Sequence, residues 1–180
     1  TLINGALFGF FSYMSDYLRT VTEVSYSVIS VLLLIYGLAN IIGNVIAGKQ
    51  LATNPIRSMT FIPFALFTLY ICIFILGEWL AAMAGIFLVF GVLAGNGAMQ
   101  YMITEAAPEV PDFANGLFLL SANLGTTVGA AACGAFITFF DTRYSVIGSL
   151  LFLAVSIIFV VLRIRTVQSS KTIKLKVVAQ

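Results

Sequence analysis

The chain has 180 residues, 61% of them hydrophobic and only 9% charged, with a formal net charge of +2 and a mean hydropathy of +1.07. A soluble domain carries about 25% charged residues. This chain would expose more apolar surface than water tolerates, so its solvent is lipid and its expected partner the bilayer. The small net charge gives no reason to expect a nucleic-acid partner. With no histidine, the commonest metal ligand and general base is missing. Cys72 and Cys133 both sit inside apolar runs and read as small packing residues.

Charged residues cut the chain into six uncharged runs: 1–15, 24–48, 58–77, 79–104, 113–140 and 144–162. A spanning helix needs about 20 residues, which five of the runs meet. The first would reach only about 22 Å at 1.5 Å per residue against a core of about 30 Å. The sequence therefore reads as a fragment that begins inside a membrane helix. Residues 1–165 are expected to form a six-helix all-α bundle, and 166–180 a basic, mobile cytoplasmic tail. Alternation puts Lys49, Arg57, Arg163, Arg165, Lys171, Lys174 and Lys176 on one side and only Arg19 and Arg143 among cations on the other. The cation-rich side is assigned to the cytoplasm, so both termini are expected to face it.

Span 1 carries Gly5 and Gly9, a small-xxx-small pair that permits close backbone approach, then Ser12 and Tyr13. Span 2 carries Tyr36, Asn40, Gly43, Asn44, Ala47 and Gly48 and ends at Lys49. Asn54-Pro55 reads as a turn, because the residue before proline avoids the helical region. Span 3 is rich in aromatic residues (Phe61, Phe64, Phe67, Tyr70, Phe74) with almost no small or polar side chains and is expected to face lipid. Gly77-Glu78-Trp79 reads as a tight turn with the tryptophan at the membrane interface. Span 4 carries Gly85, Gly91, Gly95, Asn96, Gly97 and Gln100. Asp112 suits the positive N-terminal end of span 5, which holds Asn115, Ser121, Asn123, Gly125, Gly129 and Gly134. Span 6 returns to aliphatic and phenylalanine character. The lysines beyond it favour an anionic leaflet.

Spans 1 and 4 share Gly-xxx-Gly pairs, spans 2 and 5 share small and amide residues, and spans 3 and 6 are greasy. The six read as two triplets in one order. With three spans each, the second enters from the opposite side, as in the inverted repeats of secondary transporters. No ionisable residue sits at mid-membrane depth, so these spans offer no proton relay. Gly91 to Gly97 follows a helix, not a strand, and is no nucleotide fingerprint. With no catalytic constellation either, an enzyme is not expected, nor is a cofactor or metal. What remains is uncharged and polar: Asn4, Ser12, Tyr13, Asn40, Asn96, Gln100, Ser121 and Asn123. These are candidates for a cavity that takes a small-molecule substrate. The plainer alternative is hydrogen bonding between helices, worth about 0.6–2 kcal/mol each.

Gly43-Asn44-Val45-Ile46-Ala47-Gly48-Lys49, followed by Pro55-Ile56-Arg57, resembles the major facilitator superfamily. The closer likeness is to the C-terminal six helices of bacterial arabinose-efflux-like and drug:proton antiporters. Phe11-Ser12-Tyr13-Met14 is similar to that family's seventh helix. Ala114-Asn115 with Ser121-Ala122-Asn123-Leu124-Gly125 and Gly129-Ala130 is similar to its eleventh. The resemblance implies that spans 1 and 4 line a cavity and that spans 2 and 5 meet an N-terminal six-helix half absent here. It implies a proton-coupled efflux transporter of sugars or drugs in the cell inner membrane. Gly43, Asn44, Gly48, Lys49, Arg57, Gly125 and Gly129 would then serve the helix interface and cytoplasmic gate. The acid and cation of that gating loop would fall at 53–54, where this chain has Thr53-Asn54. Only Gly48, Lys49 and Arg57 carry over. The competing reading is a membrane scaffold whose glycine faces bind partner helices.

Overall fold

The structure is a computed structural model. It describes the backbone at 1–53, 55–94, 100–101, 103–104 and 107–178, with side chains at these positions except 51–52, 55–56, 58–59 and 163–178. The described helices are α1 (Leu2–Phe11), α2 (Met14–Thr20), α3 (Tyr26–Thr53), α4 (Pro55–Leu76), α5 (Leu80–Ala94), α6 (Pro111–Phe139) and α7 (Ser145–Val178), with a 3-10 turn at Thr142–Tyr144 before α7. Among the described residues, three stretches are long and apolar enough to cross a membrane: Tyr26–Gln50, Pro111–Phe139 and Thr142–Leu162. Leu2–Phe11, Thr60–Leu76 and Leu80–Ala94 are shorter apolar helices.

Helix boundaries follow local chemistry. α1 and α2 are nearly continuous, separated by a turn in which the Tyr13 amide reaches only as far back as the Phe10 carbonyl, at 2.9 Å. Ser12 reinforces the bend by donating its hydroxyl to the Phe8 carbonyl at 2.8 Å. After α2 the chain turns through Glu23, whose φ of 57° is left-handed and uncommon outside glycine. α3 then runs past Lys49 to Thr53, and α4 begins at Pro55, a residue suited to a first turn because it lacks an amide proton. The expected Asn54-Pro55 turn has its Asn54 outside the described residues. α7 is helical to Val178, so the backbone of the expected tail continues the last span.

The core sits where α1, α4, α5 and α7 meet. Phe10, Tyr17, Leu66, Tyr70, Ile73, Phe87, Phe90 and Leu153 are fully buried. Phe10, Tyr70 and Phe90 form an edge-to-face cluster with centroids 5.5, 5.6 and 6.4 Å apart, the arrangement aromatic quadrupoles favour. This corrects one expectation. Span 3 is not a plain lipid-facing helix, because Ile62, Leu66, Leu69, Tyr70 and Ile73 of α4 are core, whereas Phe61, Phe64, Ile71, Ile75 and the C-terminal Leu76 point outward. α4 looks greasy because it packs by large side chains rather than by glycine.

Helix contacts fall in a regular scheme. α1 packs on α6 and α7, α5 packs on α3 and α4, α3 touches α4, α6 touches α7, and α4 packs on α7. Glycines set the closest approaches. A Cβ on Gly9 would lie 2.8 Å from the Gly129 carbonyl carbon, and a Cβ on Gly129 would overlap the Gly5 carbonyl. In the α3·α5 pair, a Cβ on Gly43 would lie 2.8 Å from the Val92 carbonyl carbon, and one on Gly91 2.8 Å from the Ala39 methyl. Both sites have backbone where a side chain would go, which is the use of small residues between membrane helices.

Candidate functional site

The polar side chains of the described spans fall into three groups. The first is structural and buried. Tyr70 of α4 and Ser149 of α7 both donate their hydroxyls to the Ala6 carbonyl of α1, each at 2.7 Å. Cys133 of α6 lies 3.5 Å from the Ser149 hydroxyl. One carbonyl thus ties three helices, and a fourth touches the knot. Among the described residues no buried side-chain nitrogen or oxygen lacks a partner, as apolar surroundings require. Sequence reasoning missed this knot, because a lone tyrosine and a lone serine 79 positions apart carry no local signal.

The second group holds the expected cavity residues. Asn4 is half-buried on α1, and Ser12, exposed, spends its hydroxyl on Phe8. The Tyr13 hydroxyl sits against Gly134 of α6, where a Cβ would collide with it. The amide of Asn44 reaches back to Asn40, 3.1 Å from its carbonyl and 3.2 Å from its side-chain oxygen. Gln100 donates to the Asn115 side chain at 2.8 Å, the pair lying fifteen positions apart. Ser121 is half-buried and Asn123 exposed on α6. Asn96 lies outside the described residues. The structure therefore joins Asn40 to Asn44 and Gln100 to Asn115. Among the described residues, no hydrogen bond draws the whole set together. Rings bridge the seam between the two helix pairs: Phe11 of α1 meets Tyr36 of α3 with centroids 5.0 Å apart, and Tyr36 meets Phe90 of α5 at 5.5 Å. These rings were invisible as a group in a sequence with 16 phenylalanines.

Among the expected interface residues, Gly43, Gly125 and Gly129 are buried against the backbone of a neighbouring helix or its N-cap, whereas Gly48 faces open space. Asn44, Lys49 and Arg57 are exposed. Alongside Gly48, the outward face of α3 carries Leu34, Leu38, Ile41 and Val45, all exposed.

The third group lies at one end of the bundle. Residues of the α2–α3 turn, the α4–α5 turn and the turn before α7 meet there around a cavity of about 440 Å³ lined by Thr20, Thr22, Glu23, Glu78, Asp141, Arg143 and Tyr144, among others. Arg143 pairs with Glu78 at 2.6 Å. These three segments share one end, as alternating spans require.

A bundle of long apolar helices, joined by glycine contacts and satisfied internally at every described buried polar side chain, defines a polytopic membrane protein. The family model for the Major Facilitator Superfamily matches residues 1–178, and the chain belongs to that superfamily. It is similar to a probable sugar efflux transporter of Helicobacter pylori strain J99, 28% identical over 126 residues, which are 67% of this chain and 31% of that protein. It is also similar to the transcription regulatory protein OpdE of Pseudomonas aeruginosa, 27% identical over 128 residues, 68% of this chain and 32% of that one. The matched region is thus about a third of the curated relatives' length. No solved structure matches.

Proposed function

We propose that this chain is the C-terminal six-span half of a secondary exporter of small neutral or amphipathic solutes, working by alternating access. The observation that carries the reading is the contact scheme. Exchange α1 with α5, α3 with α6 and α4 with α7, and every principal contact maps onto another: α1·α6 onto α5·α3, α1·α7 onto α5·α4, α3·α4 onto α6·α7, and α4·α7 onto itself. Such exchange is the property of two three-span repeats related by a two-fold axis in the membrane plane. The shorter helices Leu2–Phe11, Thr60–Leu76 and Leu80–Ala94 then count as spans alongside the three longer ones.

In this reading α1 and α5 face the cavity, and the outward faces of α3 and α6 meet an N-terminal half of the same polypeptide. The end built on Arg143 faces outward, away from the cytoplasm, and both ends of the chain face inward. Sugar export is supported by the name given to the Helicobacter relative and by the Phe11–Tyr36 rings, whose faces suit the apolar face of a pyranose. Proton coupling would draw on an acid in the other half, since no described span carries one at depth. The test is export of radiolabelled lactose and of ethidium from cells producing the full-length protein, with and without a protonophore. Protonophore-sensitive export of either is expected. Equal retention of both, with the protein present in the membrane, contradicts the reading.

A further inference from the structure

The last turn of an α-helix leaves carbonyl oxygens without intrahelical partners. At the end of α4 two of those carbonyls, and the Gly77 carbonyl just beyond the helix, are taken by side chains from three other parts of the chain. The Tyr17 hydroxyl of α2 donates to the Ile73 carbonyl at 2.9 Å. Arg143, from the turn before α7, donates to the Phe74 carbonyl at 2.9 Å. The Thr22 hydroxyl, from the α2–α3 turn, donates to the Gly77 carbonyl at 2.7 Å. The same guanidinium holds Glu78 at 2.6 Å and lies 5.3 Å from the Phe74 ring centroid. A cation at this position also complements the negative end of the helix dipole. Two of the three carbonyl bonds are buried and the third is part-buried, so water competes poorly for them.

We infer that the C-terminus of α4 is a hub that locks the outer ends of α2, α3, α4 and α7 into one plate, with Arg143 as its positioning residue. The plate's existence rests on these bonds alone; what it does rests on the transport reading. When the half rocks, the plate moves as one body, and the outer side opens between halves rather than by helices parting within this one. The Gln100–Asn115 bond lies outside this plate.

Hydrogen exchange on the purified full-length protein in lipid nanodiscs tests the plate. Arg143→Gln is expected to speed exchange about tenfold, the scale of losing a charge-assisted bond, at 74–80 and 141–146. It is also expected to do so at 20–24, which Thr22 ties to the Gly77 carbonyl at the same helix end. A merely local contact would leave 20–24 unchanged, and that result overturns the hub. Faster exchange throughout the chain overturns it too, because it would show general loosening. A second variant, Glu78→Cys with Arg143→Cys, is joined by a short bis-methanethiosulfonate reagent. The linked protein is expected to regain slow exchange at 20–24 and to export lactose or ethidium, whichever it moves, at the native rate. If linkage stops export, these ends must part during the cycle and the one-body claim fails. If neither probe is exported even by the native protein, the transport reading fails and the exchange result still stands.

Discussion

The α1·α6 and α3·α5 seams use the same device at different densities. In the first, Gly5, Gly9, Gly125 and Gly129 all contribute, and backbone meets backbone from both sides. In the second, Gly43 and Gly91 do this work, the Ala39 methyl enters the contact, and the Tyr36 and Phe90 rings fill the neighbouring space with centroids 5.5 Å apart. At Gly9, Gly125 and Gly129 the nearest atoms are all backbone, which cannot rotate aside. A seam with rings in it has side chains able to shift rotamer. The comparison therefore predicts unequal tolerance to added volume.

The largest effect is expected for Gly129→Leu in the full-length protein. Its side chain would have to displace the Gly5 backbone, and overpacking of this kind costs about 1–3 kcal/mol or more. Export should stop while the protein still reaches the membrane, measured by transport and by immunoblot of the membrane fraction. Gly43→Leu should also stop export, with a smaller loss of thermal stability, because Gly43 is pressed by the Val92 backbone from one side whereas Gly129 lies against the backbones of both Gly5 and Gly9. Equal losses in the two variants would erase the distinction between the seams. Tyr70→Phe lies outside both seams and removes one of two hydroxyls on the Ala6 carbonyl. It should cost about 1 kcal/mol, read as a lower midpoint of thermal unfolding, with export retained.

Much of this was legible in the sequence. The charge-free runs located the apolar helices, and the alternation of their loops correctly grouped the α2–α3, α4–α5 and pre-α7 turns, since Thr22, Glu78 and Arg143 meet. Gly43, Gly125 and Gly129 stood out because a glycine in a lipid-embedded helix needs a reason, and close approach is the usual one. Gly48 carried the same signal, yet it faces open space, because spacing along a helix does not say which face a neighbour occupies. The burial of α4 was missed for a related reason. Large aliphatic and aromatic side chains serve core and lipid equally well, so Leu66, Tyr70 and Ile73 gave no sign of facing inward. Long-range bonds such as Arg143 to Phe74 join residues 69 positions apart, and no local pattern encodes them.

The smallest effect is expected at Gly85, whose missing Cβ would meet nothing within 4 Å. Gly85→Ala should leave stability unchanged or raise it slightly, because alanine is the better helix former by about 0.5–1 kcal/mol. This gives the control for the central claim, that backbone contact at the glycine seams holds the helix pairs together. The most direct test is the thermal unfolding midpoint of full-length Gly129→Ala beside Gly85→Ala, in the same lipid. A fall of several degrees for the first, with none for the second, is the predicted result. Matching midpoints for the two variants would contradict it.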